Sequence, residues 1–208
     1  DWVDDTSDQA VSTYGYIYIN AAGKIEMDDV EADEADTSGN TSGILRYNDT
    51  GTDTTDRRMI GWFFMNATGS GELNSYEVGN LKDGDVVNSV YHTDTTNDVI
   101  NDTSYGTDVT AMTVRFYSSG RGKTNILGNV RFSAADAVSR QIHIEVHDGA
   151  DIEASEGGLV NHLTNITDNI ICMHSETYAQ GGITFDLKGK IDVGTVTIAH
   201  KTIIITEN

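Results

Sequence analysis

The chain has 208 residues and a mass of 22.5 kDa, enough for one all-β domain that buries roughly 70% of its unfolded surface without a covalent staple. Thirteen basic against thirty-three acidic residues give a formal net charge of −20, which repels phosphate backbones and anionic lipid and so argues against nucleic-acid partners. The one cysteine, Cys172, excludes an intrachain disulfide framework and any multi-cysteine zinc site, and no apolar run approaches the ~20 residues of a membrane span.

Residues 1–10, "DWVDDTSDQA", are too acidic and polar to fold alone and read as a flexible arm, leaving 11–208 as a single domain. A chain opening on aspartate rather than methionine is expected to be a cleavage product, left by secretion or by maturation of a particle. The strand pattern starts at once. In "VSTYGYIYIN", Tyr14, Tyr16 and Tyr18 fall on one face and Ile17 and Ile19 on the other. Such a stripe of amphipathic rings serves either a sheet core or a subunit contact. Residues 26–36, "EMDDVEADEAD", hold seven acids and no base and read as an exposed loop.

Further along, "MIGWFFMN" (59–66) has the length of a buried strand, and the polar stretch 93–108 is a second long loop. "TAMTVRFYSSGRG" and "NVRFSA" give two strands around a Gly-rich connection. The run "QIHIEVH", 141–147, alternates without a break: Ile142, Ile144 and Val146 to the core, Gln141, His143, Glu145 and His147 to water or a neighbouring subunit. Leu159, Leu163, Ile166 and Ile170 then recur at helical spacing, which predicts one short helix near 156–169. "GITFDLKGKIDVGTVTIAH" and "KTIIITEN" close the chain as strands. The prediction is an all-β fold: one β-sandwich or barrel-like domain with long acidic loops and that single helix.

Candidate chemistry is thin. Alternate strand residues lie about 6.6 Å apart, so His143 and His147 are about 13 Å apart and cannot share a metal. The sequence holds no HExxH, no G-x-S-x-G elbow and no G-x-x-x-x-G-K-[ST] loop, and "NIICMH" surrounds Cys172 with apolar neighbours, as for an inert buried thiol. No catalytic, cofactor-binding or metal residue is assigned. The oxygen-rich stretches 26–36, 48–56 and 148–153 are expected to bind calcium weakly at most.

Proline is absent, so no edge strand is blunted by it. Open edges suit a protein that polymerises. The sequence therefore predicts a non-enzymatic, self-assembling structural subunit working outside a cell, whose partners are copies of itself, without membrane insertion. A virion component (capsid, decoration or tail) and a secreted filament or surface-layer subunit fit equally. A secreted carbohydrate- or calcium-binding module is the alternative. The residues expected at the subunit interface are Trp2, Tyr14, Tyr16, Tyr18, Ile203 and Ile205, with residues 1–20 or the C-terminal strand adding to an adjacent copy.

Overall fold

The computed structural model describes residues 3–4, 12–20, 22–28, 31, 58–65, 73–80, 88–104, 112–134, 140–149, 151–160 and 166–208. All regular structure among them is extended, as the β-branched, period-two sequence requires. Five strands make an N-terminal sheet: β1 (Val3–Asp4), β2 (Tyr14–Ile19), β3 (Ile25–Asp28), β4 (Arg58–Met65) and β5 (Leu73–Asn80), in the order β1-β3-β2-β4-β5. Asn20 builds the β2–β3 turn, its Oδ1 accepting from the N–H groups of Ala22 and Lys24, both at 3.0 Å. In a chain without proline, an asparagine side chain thus fixes the turn.

The larger part is a two-layer sandwich. One sheet follows the path β12 (Ile166–Glu176), β9 (Thr124–Ala134), β14 (Val196–Glu207), β6 (Asn88–Asp94), with the short β7 (Asp98–Ile100) also on β14. The other runs β11 (Asp151–Val160), β10 (Arg140–Asp148), β13 (Gly181–Ile191), β8 (Thr113–Ser118). Every pairing in both is antiparallel. From β8 onward the chain alternates between the layers, passing to β9, back to β10 and β11, and across again to β12, β13 and β14. Four strands in each layer, interleaved in this order, form a jelly roll, the double-sheet solution of antiparallel proteins.

Ile142, Ile144, Val146, Phe185 and Leu187 of one layer meet Ile126, Val130, Phe132, Cys172, Ile203 and Ile205 of the other in one continuous core. Gly128 lets the layers close, since a Cβ there would stand 2.7 Å from Cys172 Sγ and 3.0 Å from Val146 and Leu187. Cys172 is fully buried, as its apolar neighbours imply.

Two expectations are corrected. The helix near 156–169 is absent: 156–160 belong to β11 and 166–169 to β12, which pairs with β9 over its whole length. Helical spacing of four apolar residues was outweighed by two ladders of backbone hydrogen bonds. Neither terminal strand is a free edge. β2 lies between β3 and β4, and β14, which holds "KTIIITE", lies between β9 and β6. Within the arm, Val3 and Asp4 pair with Glu26 and Met27 of the same chain.

The N-terminal sheet docks on the sandwich through a polar node set in aromatics. Trp62 Nε1–H donates to Asn88 Oδ1 (3.0 Å), and Asn88 Nδ2 donates to the Tyr117 carbonyl (2.6 Å) and to Glu207 Oε2 (3.2 Å). The buried Glu207 carboxylate also accepts from Ser118 Oγ (2.9 Å) and from the Ser119 N–H. One node thereby joins β4, β6, β8 and β14, and its donors replace the water that burial removed. Gly79 is required beside it, because a Cβ would collide with the Trp62 indole and the Asn88 amide. Gly79→Ala is expected to destabilise the fold by about 1–3 kcal/mol through overpacking. Urea denaturation measures this, and an unchanged midpoint would show that the docking is looser than described.

Candidate assembly face

The two outer faces of the sandwich differ in charge. On the β11-β10-β13-β8 layer, His143, Glu145 and His147 alternate with the core residues of β10, and cross-strand from them stand Lys190, Lys188 and Asp186 of β13. Arg115 of β8 pairs with the wholly buried Glu77 at 3.1 Å and lies 4.2 Å over the Phe64 ring. Asp186 accepts from Thr113 Oγ1 at 2.6 Å. This is a face of mixed charge.

Here "QIHIEVH" is partly corrected. Ile142, Ile144 and Val146 are fully buried as expected. Glu145 and His147, expected to meet water or a neighbour, are only 5% and 7% exposed, and His147 Nε2 lies 3.0 Å from Glu145 Oε2. Pairing makes that burial tolerable for both groups. Among the described residues no three His, Cys, Asp or Glu side chains converge as a metal site. Of the oxygen-rich stretches, 48–56 lies wholly outside the described residues, as do 29–30 and 32–36 of the first and 150 of the last.

The outer face of the β12-β9-β14-β6 layer carries no charge across three registered rows. The middle row crosses all four strands as Met173, Leu127, Ile204 and Tyr91. On one side of it run Ile171, Asn129, Thr202 and Thr93, and on the other Ser175, Asn125, Thr206 and Ser89. A depression along the middle row is lined by Ile126, Leu127, Met173 and Ile204 with Asn125, Ser175 and Thr206, and by His174 at its β12 edge. Met173 is 69% exposed, Tyr91 57% and Ile171 50%. With 22% of the chain charged, about two or three of these twelve positions would carry charge by composition alone. Charges resume beyond these rows: the exposed Arg131 lies one row past Asn129, Lys123 precedes the other end of β9, and Glu176, paired with His174 at 3.3 Å, follows Ser175. An uncharged surface with an apolar stripe on a strongly acidic chain has the composition of a contact surface.

The residues expected at an interface lie elsewhere. Tyr16, Tyr18, Ile203 and Ile205 are buried in the core of this same chain, and Tyr14 is half-buried with its hydroxyl donating to the carbonyls of Phe116 and Ile183. Burial pushes the phenols of Tyr14, Tyr16 and Tyr117 well above their ordinary range. Trp2 lies outside the described residues. What the sequence reading missed is one residue away from what it chose: Ile204 points out where Ile203 and Ile205 point in, and Ile171 and Met173 flank the buried Cys172. The available signal was the length of the apolar runs "TIIIT" and "NIICMH", longer than a one-sided strand needs.

One buried cation sits at the end of this layer. Lys201 is wholly buried, with Nζ 2.8 Å from Asp94 Oδ2 and 2.9 Å from Asp98 Oδ2, tying β6 and β7 to β14. Burial alone would raise the Asp94 carboxyl, but its hydrogen bonds to Lys201 and to the Thr96 N–H outweigh that and hold it at about 2. Burial would likewise lower Lys201, yet its two carboxylate partners leave it raised. Because the folded Asp94 value lies below the ordinary 3.8, its contribution is full above that value and is lost as pH falls through about 2. Lys201→Met is expected to cost about 3 kcal/mol at pH 7 by stranding two carboxylates. That cost should shrink as pH falls from 5 towards 2, measured by denaturation of both proteins across the series. A pH-independent difference would mean that packing of the lysine stem, not the ion pairs, is what was lost.

No protein-family model and no curated protein sequence matches the chain. Among solved structures it is similar to the VP2 subviral particle of infectious bursal disease virus, with a TM-score of 0.41, 11% identity, and coverage of 94% of this chain and 52% of that one. It is also similar to a structure of the Gx strain of that virus, with a TM-score of 0.30, 8% identity, and coverage of 95% and 57%. The chain spans about half the length of these viral proteins.

Proposed function

We propose that this protein is a non-enzymatic structural subunit that assembles with copies of itself into an exterior, capsid-like shell. The observation that carries the reading is the uncharged outer face of the β12-β9-β14-β6 layer. Copies bearing −20 each repel one another over most of their surface. They can approach closely where charge has been withheld, and three registered rows of one sheet face meet that condition. The jelly roll supports the same reading at the level of architecture, since shell proteins are among those that use it, although lectins and cupins share the scaffold.

Electrostatics sets the conditions for assembly. At very low ionic strength the repulsion between acidic copies reaches furthest, so assembly weakens there. It recovers with salt, or with millimolar calcium acting as a counter-ion to the acidic stretches. Multi-angle light scattering across a salt series is expected to show multimers well above the 22.5 kDa subunit mass once repulsion is screened. A monomer at every salt, calcium and protein concentration would contradict the proposal and favour a carbohydrate- or calcium-binding module, which glycan arrays and calcium titration would then identify.

A further inference from the structure

We infer that the uncharged sheet face meets the same face of a second copy across a two-fold axis, so that the dimer is the building unit of the assembly. This rests on the proposed function and specifies its contact.

The inference follows from asking what the face can cover on another copy. A neutral surface with the apolar row Met173, Leu127, Ile204 and Tyr91 gains most against a neutral partner. The opposite sheet face of the sandwich presents Lys188, Lys190 and Asp186, each half-buried. Docking the apolar row there would desolvate those charges without offering them partners. Among the described residues, the surface on a second copy that matches the uncharged face in charge and in apolar character is that face itself. A patch that is its own complement gives an isologous contact, which closes as a dimer. Two such sheets would stack at about 10 Å, with Leu127 and Ile204 central and Tyr91 and Met173 towards the margins.

The test uses the intact chain. Tyr91→Asp and Met173→Asp alter side chains more than half exposed in the subunit, so circular dichroism and melting temperature should be unchanged. Each substitution enters a two-fold contact twice, so dimerisation is expected to weaken by about 100-fold or more in sedimentation equilibrium. Leu127→Cys and Ile204→Cys, made singly, provide an independent measurement, because the native Cys172 is buried and silent. In an isologous contact over this face each central position meets either its own copy or the other central position, so oxidation of one single variant, or of an equimolar mixture of the two, yields a covalent dimer. A head-to-tail contact keeps each position away from itself and from the other, and yields none. Undiminished association of both aspartate variants, or the absence of any covalent dimer, would overturn the two-fold contact while leaving self-assembly standing. A wild-type protein that never associates would overturn both.

Discussion

A formal charge of −20 on 208 residues is the constraint around which the rest of this molecule is arranged. Every acidic side chain must be solvated, paired or buried among donors, and an acidic surface keeps identical copies apart. The described residues show the last two of these. Asp94 and Asp98 pair with Lys201, and Glu77 pairs with Arg115. Glu207 is buried among hydroxyl, amide and backbone donors. Against that background a four-strand face with no charge in three rows is the feature that composition alone does not explain.

The jelly roll makes such a face available. Because side chains alternate along each strand, one registered ladder sends Ile126, Gly128 and Val130 inward and Asn125, Leu127 and Asn129 outward, and neighbouring strands repeat the pattern. Strand pairing therefore turns scattered positions, from Ser89 to Thr206, into one surface. The node of Trp62, Asn88 and Glu207 ties the N-terminal sheet to β6, β8 and β14. β6 is thus both the margin of the uncharged face and the strand on which the extra sheet is anchored.

Much of this was legible in the sequence, and the failures have physical causes. Period two identified the all-β class, several of the strands and the inward set Ile142, Ile144 and Val146, since alternation is a local property, while 93–108, read as a loop, holds β7 and the end of β6. The predicted helix failed because four apolar residues at helical spacing also fit two strands joined near 161–165, and only long-range pairing decides between them. Ile203 and Ile205, expected at a subunit contact, are core residues for a reason of parity. In "TIIIT" three isoleucines are equally apolar, and nothing local says that Ile203 and Ile205 face the core while Ile204 faces out. Likewise, "YGYIYI" gives no sign that its strand lies between two others, so its tyrosines became core residues of their own chain. The absence of charge across four strands could not be read linearly, because its twelve members come together only in the folded register.

Hydroxyl-radical footprinting of dispersed and assembled protein reads that surface side chain by side chain. Methionine and tyrosine are among the most readily oxidised residues, and Met173 and Tyr91 mark opposite margins of the uncharged face. Both should be modified in the dispersed subunit and protected in the assembly, while residues of the opposite sheet face keep their reactivity. Equal oxidation of Met173 and Tyr91 in the two states would show that copies meet elsewhere and would contradict the account.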